Sequence, residues 1–142
     1  MSKTKPISHP TMFPFMGYTD APAAIDWLCR AFGFEKHFVV PGPDGTIAHA
    51  QLRYGNGIVM MGSAAGRREM FGMGVPGDFG AVTGGVYVVV EDVDAHHARA
   101  KAAGAEIIRL PADTEYGSRE YMARDPGGHI WSFGTYQPFA EG

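Results

Sequence analysis

Two short polar clusters contain the residue types in this chain that could do chemistry. In the first cluster, His49, Gln51 and Arg53 alternate with small or apolar residues over positions 47–54. A strand places alternate residues on one face, so His49 and Gln51 would converge there. His49 is the candidate catalytic residue, because imidazole can act as a general base near neutral pH. The alternative is a structural histidine whose hydrogen bonds are satisfied within the fold.

The second cluster is Arg119-Glu120-Tyr121, on a strand that leads to Asp125. The Arg119 guanidinium could bind a carboxylate or phosphate with two parallel hydrogen bonds. A surface pair of Arg119 with Glu120 explains the same residues equally well. Arg119 and Tyr121 are therefore candidate ligand-binding residues with this alternative left open.

Apolar residues on other strands complete the candidate binding set. Aromatic residues at strand spacing usually belong to a core, but some could line a cavity instead. Trp131 alternates with Ser132, so only one of these two can face the cavity. The remaining candidates for ligand binding are Phe13, Phe15, Met60, Tyr87 and Ser132.

The elements that must position these residues follow one order twice. Residues 11–63 predict β-α-β-β-β, with Asp20 as helix N-cap and Gly33 ending the helix. Residues 64–82 predict a weakly structured linker, and residues 83–137 repeat the order with Asp94 as N-cap. Residues 1–10 and 138–142 predict flexible tails. The fold class is α+β, and neither half alone could bury its own sheet.

Short motifs in each half resemble those of a known family. They are Ala31-Phe32-Gly33-Phe34 after the first helix, Asp125-Pro126-Gly127-Gly128 before the last strand, and Ile47-Ala48-His49-Ala50-Gln51-Leu52. Together they resemble the vicinal oxygen chelate family, the glyoxalase and bleomycin resistance superfamily, over about residues 11–137. The third motif resembles its PhnB-like subgroup, which commonly has Glu where Gln51 stands. The resemblance implies two βαβββ modules forming a curved mixed sheet with a concave ligand cavity.

The resemblance also implies four positions for metal ligands, which are normally His, Glu or Gln. By register these positions are Phe13, Met60, Gly85 and Ser132. None of these side chains supplies a carboxylate or an imidazole. We therefore expect no metal of the usual kind and no cofactor, although an unusual set such as His49 with Glu120 stays open. Glyoxalase I or extradiol dioxygenase chemistry in its usual form is disfavoured.

Two functions remain. The favoured one is a homodimeric protein that binds a small, partly aromatic molecule, similar to bleomycin resistance proteins. The alternative is a lyase, isomerase or dioxygenase using His49 or an atypical metal site. We expect the segment 64–78 to pack over the cavity or across a dimer interface, His96 and His97 to be solvated, and His129 to stabilise its hairpin.

Composition excludes several other classes of function. A net charge of −3 gives no basic face for nucleic acid or anionic lipid. No apolar run is long enough for a membrane span. The single cysteine, Cys29, excludes an internal disulfide and indicates a reducing, cytoplasmic location.

Overall fold

One folding unit occurs twice along the chain. The computed structural model describes residues 10–139, so most of the two predicted tails lies outside the described residues. The first unit contains β1 (Phe15–Tyr18), α1 (Ala21–Phe32), β2 (Glu35–Pro41), β3 (Ile47–Tyr54) and β4 (Gly57–Ser63). The second unit contains β5 (Val86–Val89), α4 (Val93–Ala102), β6 (Glu106–Asp113), β7 (Arg119–Arg124) and β8 (Ile130–Gly134). Two short helices, α2 (Arg67–Phe71) and α3 (Pro76–Phe79), lie between the units.

Each unit forms its own four-stranded mixed sheet. The strand orders are β1-β4-β3-β2 and β5-β8-β7-β6. In each sheet the first strand pairs in parallel with the last, and the other neighbours are antiparallel. The predicted α+β class and the duplicated βαβββ order are confirmed. Neither of the two sheets closes into a barrel.

Local sequence signals explain where both long helices begin. Asp20 accepts a hydrogen bond from the Ala23 amide at 3.2 Å, and Gly33 ends α1 in the left-handed conformation, as predicted. The predicted cap of α4 is wrong, because Asp92 caps it by accepting from the Ala95 amide at 3.0 Å. Asp94 lies inside the first turn, where its carboxylate pairs with Arg119 instead.

The structure gives finer detail for two predicted segments. Within residues 11–63, the first strand begins at Phe15. The segment 64–82 was expected to be weakly structured but contains α2 and α3. Both short helices end at glycines in the left-handed conformation, Gly72 and Gly80, which stop each helix after about one turn.

The two units share one hydrophobic core. The Phe32 ring, at the end of α1, lies 4.7 Å from Phe133 and 5.7 Å from Trp131, both on β8 of the other sheet. The Trp27 indole N–H donates to the Ala103 carbonyl at 2.7 Å, which ties α1 to the end of α4. The helices therefore lie between the inner faces of the two sheets. The other face of each sheet points away from this core.

A buried hydrogen-bond cluster joins the units at the hairpin before β8. The Tyr18 hydroxyl donates to Asp125 Oδ2 at 2.6 Å, and the Trp131 indole N–H donates to the same oxygen at 2.8 Å. Burial, and then the charge of Asp125, raises the pKa of Tyr18 well above its ordinary value, so the phenol stays a donor. The His129 amide donates to Asp125 Oδ1 at 3.0 Å, and its ring contacts the Gly17 carbonyl at 2.9 Å.

A histidine that was expected at the surface is half-buried against the core. The Phe32 carbonyl can only accept, so His96 donates to it from Nε2 at 2.9 Å. His96 Nδ1 then accepts from the Tyr121 hydroxyl at 2.6 Å. Burial lowers the pKa of His96, and the nearby charge of Arg99 lowers it further against the opposing Phe32 hydrogen bond. The expectation that His96 is solvated is wrong.

No helix within residues 10–139 is long and apolar enough to cross a membrane.

We predict that Tyr18→Phe destabilises the fold, because it removes a buried donor from the Asp125 carboxylate. The expected loss in free energy of unfolding is about 1–3 kcal/mol. Urea denaturation followed by circular dichroism measures it. The control is Tyr136→Phe, at an exposed position, which should change stability by less than about 0.5 kcal/mol. Equal effects of the two substitutions would show that the buried bond contributes little.

We also predict that stability falls as the pH drops below about 6.5, the ordinary pKa of histidine. Because the folded state holds the pKa of His96 below that value, the unfolded chain binds the proton first. The contribution of neutral His96 to the free energy of unfolding is fully present above pH 6.5. It is lost as the pH falls through the lowered pKa of His96 in the folded state. Thermal unfolding between pH 7.5 and 5 should show a weaker pH dependence in His96→Gln. The control His37→Gln, on exposed β2, should behave like the wild type, and an unchanged slope in His96→Gln would refute this origin.

Candidate functional site

The outward face of the first sheet presents a continuous row of side chains across its four strands. We call this face, formed by β1, β4, β3 and β2, the first open face. Strand register aligns Phe15 with Met60, Met60 with Gln51, and Gln51 with Phe38. The row thus places two aromatic rings at the edges and a thioether and an amide in the centre.

Strand alternation explains why these residues face outward. Ala50 and Leu52 of β3, together with Val59 and Met61 of β4, are buried in the core under α1. Their strand neighbours must therefore project to the opposite side. Positions 49 and 51 occupy that side, as the sequence pattern predicts.

The polar centre of the first open face is a hydrogen-bonded pair. Gln51 Nε2 lies 3.0 Å from His49 Nε2. The amide nitrogen is a donor, so His49 accepts at Nε2 and carries its proton on Nδ1. The Phe38 ring packs 6.4 Å from the imidazole, between ring centroids. The pair therefore presents an imidazole that Gln51 orients, with Nδ1 left free to donate.

Large apolar side chains remain in solvent around this pair. Phe15 is 60% exposed and Phe38 is 52% exposed, and Val40, which is paired with His49 in the sheet, is also exposed. Contiguous exposed apolar surface with a few polar groups is typical of a ligand site or an interface.

The second sheet has an equivalent outward face, which we call the second open face. Its row runs Tyr87, Ser132, Met122 and Arg109 by register. The Tyr87 hydroxyl donates to the Tyr136 carbonyl at 2.8 Å. Burial raises the pKa of Tyr87, and the nearby Glu120 raises it further. Tyr87 and Ser132 therefore share this face, while Trp131 lies in the core.

Glu120 belongs to the second open face but its carboxylate is already engaged. The Tyr116 hydroxyl donates to Oε1 at 2.9 Å and the Ser118 hydroxyl donates to Oε2 at 3.0 Å. Each oxygen of the Glu120 carboxylate therefore already accepts one hydrogen bond from a neighbouring side chain.

Two of the candidate residues lie against α4 and away from both open faces. Arg119 forms hydrogen bonds to Asp94 at 2.9 and 3.0 Å and to Asp113 at 3.1 Å. Tyr121 is buried and contacts His96 in the core. Burial raises the pKa of Tyr121, so it stays a neutral phenol.

The structure brings His49 and Gln51 together with Phe15 and Met60 on the first open face, and it puts Tyr87 and Ser132 on the second. Phe13 is exposed and precedes β1, outside both faces. Arg119 and Tyr121 lie against α4.

Sequence inspection missed Phe38 as a member of this set. The alternation in β2 is interrupted, because the register with β3 shifts between Lys36 and Phe38. A bulge of this kind moves a side chain to the other face and conceals it from a simple period-two count.

The positions assigned to metal ligands do not fit the usual site. Met60 and Ser132 face outward with a thioether and a hydroxyl, and Phe13 offers no donor. A side chain on Gly85 would meet the Ile130 carbonyl oxygen at 2.7 Å, so no larger residue fits there unchanged. Over residues 10–139, His, Cys, Asp and Glu form no group of three or more suited to a metal.

Two clefts run along the free edges of the sheets, and each reaches a residue of an open face, Tyr87 in one cleft and Phe15 in the other. One cleft, of about 940 Å³, follows β5 and is lined in part by Leu52, Val86 and Trp131. The other, of about 430 Å³, follows β1 and the α3 segment, with Phe15, Pro76 and Phe79 among its lining residues. Strands β1 and β5 each pair on one side only, so both edges keep unpaired backbone groups.

The amino-acid sequence matches a known protein family and resembles a mycobacterial protein. A family model described as the Glyoxalase/Bleomycin resistance protein/Dioxygenase superfamily matches residues 7–133. The chain is 35% identical over 136 residues to an uncharacterized protein of Mycobacterium bovis, covering 93% of this chain and 86% of that relative. The PhnB-like subgroup stays a prediction.

Solved structures show the same fold. TioX from Micromonospora sp. ML1 is 37% identical, with a TM-score of 0.70 over 93% of this chain and 100% of that chain. A glyoxalase-related enzyme from Fulvimarina pelagi is 20% identical, with a TM-score of 0.63 over 88% of this chain and 86% of that chain. At 20% identity the likeness shows the fold alone.

Adjacent methionines on β4 allow a direct test of the face assignment. Met61→Ala should cost about 2–5 kcal/mol, because it leaves a cavity in the core. Met60→Ala should cost less than about 1 kcal/mol, because that side chain faces outward. Urea unfolding of both variants measures the difference. A larger cost for Met60→Ala would reverse the assignment of faces.

Proposed function

Because the chain belongs to the glyoxalase/bleomycin resistance protein/dioxygenase superfamily, we propose that it binds a small, partly aromatic molecule without the usual metal. The observation that carries this proposal is the exposed row Phe15, Met60, Gln51 and Phe38 with His49 beside it. An apolar surface with a few converging polar groups is the common form of a small-molecule site.

The chemistry of the row favours a flat, unsaturated ligand. Aromatic rings pack against one another in stacked or edge-to-face arrangements, and a thioether makes favourable contacts with rings. Phe15, Met60 and Phe38 supply these contacts, while the Gln51 amide and His49 Nδ1 supply hydrogen bonds that orient the ligand. The affinity would come from the apolar row and the orientation from the central pair.

We propose that a second copy of the chain closes the site. The two open faces point away from the shared core, so one chain does not place them opposite each other. The free edges of β1 and β5 and the exposed Met70 and Phe71 of α2 offer further apolar surface for association. A homodimer could face the first open face of one chain with the second open face of the other.

The single cysteine supports a reducing, cytoplasmic location as part of the same proposal.

We predict that aromatic ligands found by thermal-shift screening bind more weakly to Phe38→Ala, by about tenfold, because an aromatic contact worth about 1 kcal/mol or more is lost. The matched control is Leu110→Ala, another exposed apolar residue on an edge strand of the second sheet. Isothermal titration calorimetry measures both dissociation constants.

The same ligands should bind equally well after dialysis against EDTA. Loss of binding on chelation would contradict the proposed metal-free site. Unchanged binding in Phe38→Ala would contradict its location on the first open face.

We predict that the purified protein is a dimer at micromolar concentration. Multi-angle light scattering should give about twice the chain mass of 15.3 kDa. A monomer under these conditions would contradict the proposal that a second copy closes the site.

A further inference from the structure

Two neighbouring glycines make room for an arginine at one end of the first open face. Gly17 of β1 and Gly62 of β4 are paired in the sheet, and both are buried. Their neighbours Tyr18 and Met61 point into the core, so the missing side chains would project outward. A Cβ on Gly62 would collide with the guanidinium of Arg67.

The Arg67 side chain crosses both glycines. A Cβ on Gly17 would lie 3.8 Å from Arg67 Cδ, while the guanidinium lies against Gly62. The residue itself sits in the first turn of α2, outside the sheet, and is half-buried. The pair of glycines therefore forms a cradle that holds this cation over the first open face.

Among residues 10–139, the N–H donors of the Arg67 guanidinium have no hydrogen-bond partner. Arg53, Arg119 and Arg124 each pair with a carboxylate. Within the part of the chain that the structure describes, Arg67 makes neither a side-chain hydrogen bond nor an ion pair. Arg67 is half-buried as a residue, and its guanidinium carries five N–H donors that an anion can bind through two parallel hydrogen bonds.

This cation lies beside the polar pair of the open face. The last registered pair of β3 and β4 is Ala50 with Met61, so the next residues along are His49 and Gly62. His49 Nδ1 carries a proton that is not used by Gln51. Arg67, whose guanidinium lies over Gly62 of β4, and His49 of the neighbouring strand β3 thus both offer donors at this end of the face.

The apolar row lies two residues further along the strands. Two residues of a strand span about 7 Å. A two-ring aromatic acid can therefore lay its rings over Met60 and Gln51 and direct its carboxylate to Arg67.

Resting on the proposed function of this face, we propose that the ligand is an aromatic carboxylate whose charged group is bound by Arg67. The neighbouring Arg68 provides a matched control, because its guanidinium lies over the Phe79 ring, 5.4 Å from the centroid, and is exposed. Substituting Arg67 or Arg68 changes the net charge by the same amount. A difference between the two variants therefore reports the local contact of Arg67 with the ligand.

The test compares 2-naphthoate with its neutral isostere 2-naphthamide by isothermal titration calorimetry on the full chain. The wild type should bind the acid at least about tenfold more tightly, as expected for a charge-assisted pair. Arg67→Met should lose this preference while still binding the amide with the wild-type affinity. Arg68→Met should keep the preference. Circular dichroism and thermal melting confirm that both variants fold.

The contrary outcomes are distinguishable. Equal affinity of the wild type for acid and amide, or a preference that survives in Arg67→Met, overturns the carboxylate proposal and leaves aromatic binding intact. Loss of the preference in both arginine variants also overturns it, because overall charge then explains the effect. Failure of both probes to bind the wild type overturns the carboxylate proposal and the proposed function together.

Discussion

The buried carboxylate of Asp125 fixes how the two halves of this chain meet. It accepts from Tyr18 of the first unit and from Trp131 of the second, and neither donor has access to water as a substitute. A buried charge is tolerated only when such donors surround it. Because Tyr18 ends β1 and Trp131 lies on β8, this one oxygen sets the position of the first strand of one sheet against the last strand of the other.

That constraint determines which surfaces are left for function. With Phe32 and Trp27 inserted between the sheets, the inner faces are filled, and the helices cannot cover the outward faces as well. The apolar row on the first sheet stays in solvent for this reason. Gly17 of β1 and Gly62 of β4 also shape this surface. The space they leave is filled by the Arg67 side chain, which comes from outside the sheet.

Much of the fold followed from the sequence, whereas the site followed only in part. Duplication, the Asp20 cap and the alternation around His49 are local patterns, and each survives in the structure. Arg119 and Tyr121 differ, because their faces depend on contacts with α4 that are distant in sequence. His96 was expected at the surface, yet its ring is half-buried against Phe32 of the first unit and donates to the Phe32 carbonyl. No sequence pattern near Arg67 predicts that it belongs to the site. Its side chain reaches the first open face only because Gly17 and Gly62 are paired there and leave room for it.

In the proposed function, the ligand binds on the first open face and not in the cleft along β5. Methionine methyl NMR tests it directly, because Met60 and Met61 are adjacent and face opposite sides of β4. Titrating an aromatic ligand into methyl-labelled protein should shift the Met60 signal and leave Met61 nearly unmoved. An unmoved Met60 signal, with changes confined to residues along β5 such as Val86, would contradict the account.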